Sequence, residues 1–219
     1  MDSDGQLLSE GDEDCGPFSV LADPRQRQIL SILLDQTHPL TERDLSLQVA
    51  AQETSKEPAE VADEEHETIQ VDLYHRCLPK LEAAGWIERS PEGVITTESL
   101  VSWDEDSSAP DLQNPEHPFW EAVSTLFARP RRMELVSIIA DQPPNLSLEE
   151  LATELEEWGP DSRTDEQPES ESTLLSTLHH LDLPKLAEAG LIEYDHDEKT
   201  ITRTPTLTTL LNQSDLNDG

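Results

Sequence analysis

Basic side chains are scarce in this chain, and the few present recur at matching places. Arg25 and Arg27 open one apolar-periodic stretch, and Arg131 and Arg132 open another. Thr68, Gln70, His75, Arg76 and Lys80 cluster about fifty residues after the first pair. The second cluster keeps His180 and Lys185 but has Leu181 and Asp182 where the first has Arg76 and Cys77. Arg43 opens an intervening segment, and Arg89 and Arg203 stand in β-prone runs. Arg can pair bidentately with guanine and Gln with adenine. Each Lys or Arg on a phosphate releases about one counterion. The set therefore reads as candidate contacts to double-stranded DNA. Thr68, Gln70, His75 and Arg76 suit base edges; Arg25, Arg27, Arg43, Lys80 and Arg89 suit phosphates. Arg131, Arg132, Lys185 and Arg203 are their candidate counterparts in the second half.

Other chemistry finds little support. His75 and Cys77 are two apart and do not share a helical face, and the adjacent His179 and His180 point apart. No second ligand pair stands at metal spacing. There is neither a Gly-rich phosphate loop nor a nucleophile elbow. No catalytic residue, cofactor or metal is expected. The two cysteines, Cys15 and Cys77, are too few for a disulfide framework, and Cys77 reads as a small core filler.

The elements that must position these residues lie in a chain of 219 residues with 48 acids against 14 bases, a formal net charge of −34. That excludes a generally cationic, nucleic-acid-coating protein. The acid is evenly spread, with 25 acids and 7 bases in residues 1–110 and 23 and 7 in residues 111–219. Arg outnumbers Lys ten to four. Such a coat suits a salt-loving cytoplasmic protein, since the Debye length in molar salt is only about 3 Å. A partly disordered acidic interaction protein is the alternative. No apolar run approaches a membrane span and no signal peptide is visible, so a cytoplasmic location without membrane contact is expected.

The chain repeats itself. Val20-Leu-Ala-Asp-Pro-Arg-Gln-Arg-Gln-Ile-Leu-Ser-Ile-Leu-Leu-Asp-Gln returns 106 residues later from Leu126, with Pro24, Arg25, Ser31, Ile32, Asp35 and Gln36 matched. His75-Arg-Cys-Leu-Pro-Lys-Leu-Glu-Ala-Ala-Gly-Trp-Ile-Glu returns 105 residues later from His180. Two matches in the same order imply two copies of one domain. The expected organisation is an acidic disordered terminus over 1–16, domains at 17–100 and 117–211, a linker at 101–116, and a disordered tail at 212–219.

Within a copy, Pro24 or Pro130 suits the start of a first helix. Thr41 with Asp44, and Ser147 with Glu150, are cap signals for a second. A third helix is expected from about Thr68 to Ala84 and from Thr173 to Ala189, stopped by Gly85 and Gly190. Pro79 and Pro184 inside it should kink it or break it in two. Two β-prone runs around a polar turn then predict a hairpin, with Trp86 packed beneath it. Leu207, Leu210 and Leu211 suggest a short final helix and a pairing surface. The fold class is mainly α with small β wings: two tandem winged helix-turn-helix domains.

The pattern Leu-Pro-Lys-Leu-x-x-Ala-Gly-x-Ile-Glu after a His, with an Arg-rich helix start upstream, resembles an uncharacterised family of haloarchaeal winged-helix domains. The resemblance covers most of both copies and implies a DNA-binding transcription regulator. Three features weigh against DNA: the acidic loops expected at 52–67 and 156–172, the poorer second helix face, and the weakening of every phosphate contact in molar salt. The alternative is a protein-interaction or dimerisation scaffold whose partner is another protein or a second copy. A contiguous positive strip over Arg25, Arg76, Lys80 and Arg89 would separate the two.

Overall fold

The computed structural model describes residues 17–105, 110–112, 114, 117–157 and 170–215. The expected disordered segment 1–16 lies outside them. The first repeat opens with a 3-10 turn (Pro17–Ala22). Helix α1 (Pro24–Leu34) follows, where Pro24 occupies the first turn and Asp23 caps it by accepting from the Arg25 N–H at 2.9 Å. Helix α2 (Glu42–Thr54) is capped by Thr41, which accepts from the Asp44 N–H at 3.1 Å. A 3-10 turn (Pro58–Glu60) leads to α3 (Asp63–Asp72), a π-helical turn (Leu73–Cys77) and α4 (Leu78–Ala83). The hairpin is β1 (Ile87–Ser90) with β2 (Gly93–Thr96), and α5 (Glu98–Glu105) closes the repeat.

The second repeat begins with α6 (Pro118–Phe127) and α7 (Pro130–Asp141). A short strand β3 (Leu146–Ser147) precedes α8 (Leu148–Glu157). There Ser147 and Glu150 exchange hydrogen bonds, Glu150 N–H to Ser147 Oγ at 3.2 Å and Ser147 N–H to Glu150 Oε2 at 2.9 Å. Helix α9 (Glu171–Thr177), a π-helical turn (Leu178–Asp182) and α10 (Leu183–Glu188) follow. The hairpin β4 (Ile192–Asp195) and β5 (Thr200–Arg203) leads into α11 (Pro205–Asp215). The molecule is thus mainly helical, with small antiparallel sheets and two repeats in tandem.

Several boundaries differ from the sequence expectation. The third helix starts at Asp63 rather than Thr68, so the last five residues of the expected acidic loop 52–67 are helix. Glu65 reaches back to the Ala62 N–H at 3.0 Å, and Asp63, Glu64 and Glu65 sit where the positive end of the helix dipole favours them. In the second repeat α9 starts at Glu171 with Ser170 as its cap, and residues 158–169 of the other expected loop lie outside the described part. The expected linker 101–116 is not a free tether. Its first residues complete α5, and Leu112 is buried. The final helix runs to Asp215, into the expected tail. It packs on α7 with Leu207 and Leu210 buried, so it is not an open pairing surface.

Each proline follows a π-helical turn, which joins the two α-helical stretches of the third helix. Pro79 has no N–H, and in an α-helix its ring would crowd the carbonyl four residues back. Widening the preceding turn removes the conflict: the Leu78 N–H bonds the Leu73 carbonyl, five residues back. Leu183 does the same to Leu178 ahead of Pro184. Such π-bulges are frequent at functional sites.

Leu40 pairs with Val94 in the first repeat through two backbone hydrogen bonds, of 2.9 and 2.8 Å. The second repeat extends this into a three-stranded sheet of order β3-β5-β4. Gly93 makes the first pairing feasible. Its φ is +135°, and a Cβ there would lie 2.3 Å from the Leu40 carbonyl oxygen. Gly93→Ala is expected to cost about 1–3 kcal/mol by backbone strain, read in urea denaturation, and to speed amide exchange at Leu40 and Val94. Unchanged exchange at both would show that this pairing does not anchor the hairpin.

One apolar core runs through both repeats. Leu30, Leu45, Leu73, Leu78 and Leu81 anchor the first half, and Leu135, Leu151, Leu178, Leu183 and Leu186 the second. Trp86, buried under the first hairpin, stacks edge-on with Trp103 of α5 at 5.3 Å, and Trp103 lies 6.4 Å from Trp120 of α6.

Candidate nucleic-acid interface

The residues expected to face DNA do not form a free cationic strip. Arg25 reaches two acids, Glu53 on α2 and Asp72 on α3, each at 2.6 Å. Arg76, on the π-turn, binds Asp72 at 2.7 Å and Asp23 at 2.5 Å. Asp23, Arg76, Asp72, Arg25 and Glu53 therefore alternate in sign along one chain of contacts. This chain ties the start of α1 to α2 and the third helix. Arg89 on β1 pairs with Glu42 on α2 at 2.6 Å, and its guanidinium lies 5.3 Å over the Tyr74 ring. Each of these three arginines already has a carboxylate.

Others serve the interior. Arg27 is buried, donates to the Leu21 carbonyl and lies 5.1 Å over the Trp120 ring. Arg132 is buried too, donating to Asp182 at 3.1 Å and to the Thr125 carbonyl at 2.8 Å. Asp182, expected to spoil the outer face of the second repeat's helix, is buried and faces inward. Lys185 pairs with Glu188 at 2.6 Å. Arg203 donates to the Ala140 carbonyl, and Arg131 is half-buried. Thr68 turns its hydroxyl back to the Glu64 carbonyl at 2.9 Å, and Gln70 is half-buried. His75 is exposed, edge-on to Tyr74 at 4.9 Å. Arg43 and Lys80 are exposed and form no ion pair among the described residues.

Burial pushes the Cys77 thiol up to about 12, with the Asp72 carboxylate adding to it, so almost no thiolate exists near neutrality and the group is inert. Arg76, then Arg25, hold the Asp72 carboxyl well below the usual carboxylate range. A carboxyl whose folded pKa lies below its unfolded value binds fewer protons when folded. Its stabilisation is complete above the unfolded value near 4 and fades as pH falls toward the folded one. Asp72→Asn is expected to lose about 1–2 kcal/mol at pH 7 and to flatten the fall in stability below pH 4, measured by urea denaturation across pH 2–7. An unaltered acid slope would remove Asp72 from the network's role.

Sequence reasoning missed the acids that claim these cations and the apolar patch beside them. Val71 and Tyr74 are 55% and 49% exposed on the outer face of the third helix. Their spacing of three was legible. Their exposure was not, because it depends on which face the core takes.

Among the described residues, no three or more His, Cys, Asp or Glu are placed to hold a metal ion. No helix among them is long and apolar enough to cross a membrane. Fold and site together define a tandem pair of mainly helical domains, with an ion-paired rather than a cationic third-helix face. A family model described as a domain of unknown function (DUF7344) matches residues 18–96 and again residues 124–202. The chain belongs to that family and carries two copies of its domain. No curated protein and no solved structure matches it.

Proposed function

We propose that each repeat is a winged helix-turn-helix and that the chain is a non-catalytic protein-interaction module. The fold reading rests on element order: helix, short strand or bridge, capped helix, third helix, hairpin. It rests also on the placing of that first strand beside the last strand of the hairpin. The functional reading is carried by one observation. Arg25 and Arg89, expected at phosphates, and Arg76, expected at a base edge, are each neutralised by acids of the same repeat. Acidic Asp63, Glu64 and Glu67 are exposed where the third helix would enter a groove. A DNA duplex brought there meets like charge.

A photocrosslinking residue in place of Val71, introduced in the native host, tests this. A discrete protein adduct is expected, and its absence overturns the reading. A second reading, DNA binding in a transcription regulator, keeps one observation in its favour. Arg43 and Lys80 are exposed, with no ion pair among the described residues. It requires sequence enrichment from a random duplex library in molar KCl, lost in Arg43→Ala with Lys80→Ala.

A further inference from the structure

The outer face of the third helix in the first repeat combines three features that the fold does not require. Val71 and Tyr74 sit one turn apart with about half of each surface open. In a chain this acidic, a polar pair would suit solvent better. Tyr74 is also held in place: the Arg89 guanidinium covers its ring at 5.3 Å from the hairpin side, and His75 meets it edge-on at 4.9 Å. A ring fixed on two sides loses little freedom when something binds, which is what makes aromatic anchors effective at interfaces. Finally, the turns before it present exposed Glu64 and Glu67 at helical spacing on the same side. Arg89 does not offset them, because it is matched by Glu42.

The second repeat supplies the contrast. Its residues at the places of Glu67, Val71 and Tyr74 are Ser172, Ser176 and His179. There His179 bonds the Tyr194 hydroxyl of its own hairpin. The same backbone thus carries a polar, internally satisfied face in one copy and an apolar, acid-collared face in the other. The fold does not need the apolar pair.

We infer that the Val71–Tyr74 face of the first repeat docks a basic amphipathic segment of a partner protein, one that presents an apolar side chain between Lys or Arg residues. Charge complementarity selects this occupant. A second copy of this chain would bring a net charge of −34 against itself, and DNA would set phosphates against Glu64 and Glu67. The inference rests on the interaction-module reading and names its partner's chemistry.

The test uses the full chain and three synthetic 18-residue fluorescent peptides: an amphipathic Leu/Lys helix, the same Leu stripe with Glu for Lys, and the Lys peptide with Ser for Leu. Only the Leu/Lys peptide is expected to bind saturably in fluorescence anisotropy. Val71→Ser with Tyr74→His installs the second repeat's own residues and should weaken it at least tenfold while leaving the circular dichroism and melting curve unchanged. Glu64→Gln with Glu67→Gln should weaken it and reduce its salt dependence. Equal binding of the Ser/Lys peptide, or full binding by the Val71/Tyr74 variant, would mean that net charge alone attracts the probe and would overturn the inference. Should the Leu/Lys peptide fail while position 71 still crosslinks a protein, the basic partner is wrong and the module reading stands. An enriched duplex with no protein adduct removes both.

Discussion

Arg132→Ala is expected to destabilise the protein by about 3–5 kcal/mol, because it strands a carboxylate in the interior. Asp182 is 1% exposed at its side chain and, among the described residues, takes its one close charged contact from Arg132 at 3.1 Å, with Arg129 at 4.0 Å. Its second oxygen has no hydrogen-bond partner among the described residues. The first repeat shows what a neutral solution looks like at the same place. Gln26 stands at the position of Arg132 and Cys77 at that of Asp182, and both are buried. Arg132→Gln with Asp182→Cys should therefore recover most of the loss, to within about 1 kcal/mol of the parent. Replacing a buried ion pair by a well-packed neutral one is often near neutral. Urea denaturation of the three proteins decides it. A single substitution costing under about 1 kcal/mol, or a double one no better than the single, would show that Asp182 does not depend on Arg132.

The two repeats thus use opposite polarity for one job. The first joins the start of its first helix to the π-turn by an acid at the cap, Asp23, and an Arg on the turn, Arg76. The second places Arg129 at the cap and Asp182 on the turn. In both, the π-turn presents the residue that the start of the first helix holds, and both π-turns precede a proline.

Much of this was legible in the chain and some was not. Pro24, Thr41, Ser147, Gly85 and Gly190 each fix a helix end by local chemistry, and those ends fall where their types dictate. The duplication was legible because two apolar patterns return in order. The start of α3 was not, since a run such as Asp63-Glu64-Glu65 reads as solvated loop until the Glu65 bond to the Ala62 N–H is seen. Helix α6 and the end of α5 were missed for a similar reason: polar and Pro-containing surroundings hid Trp103 and Trp120. The cations could be found from sequence but their partners could not. Arg25 and Asp72 are 47 residues apart, and only tertiary packing brings them to 2.6 Å.

Trp120→Ala is expected to remove about 3–5 kcal/mol and, more tellingly, to separate the unfolding of the two repeats. Trp120 is 1% exposed. It is packed edge-on with Phe119 at 5.3 Å, faced by Trp103 from the end of the first repeat, and covered by the Arg27 guanidinium of α1. Its indole N–H donates to the Asp111 carbonyl at 3.3 Å. Beside it, the Ser124 hydroxyl donates to the Ala22 carbonyl at 3.0 Å, again across the repeats. Arg27 is held by that ring and by its bond to the Leu21 carbonyl. Truncation leaves a guanidinium over a cavity, and the first repeat loses its lid as the second loses its anchor. The intact chain should unfold in one transition, since domains that share a core behave as one cooperative unit. The variant should show two transitions in calorimetry, with amide exchange in α1 and α6 rising before that in α8. A single transition in the variant would place the coupling elsewhere in the shared core. An unchanged midpoint would mean that the tryptophan chain, despite its burial, does not join the copies.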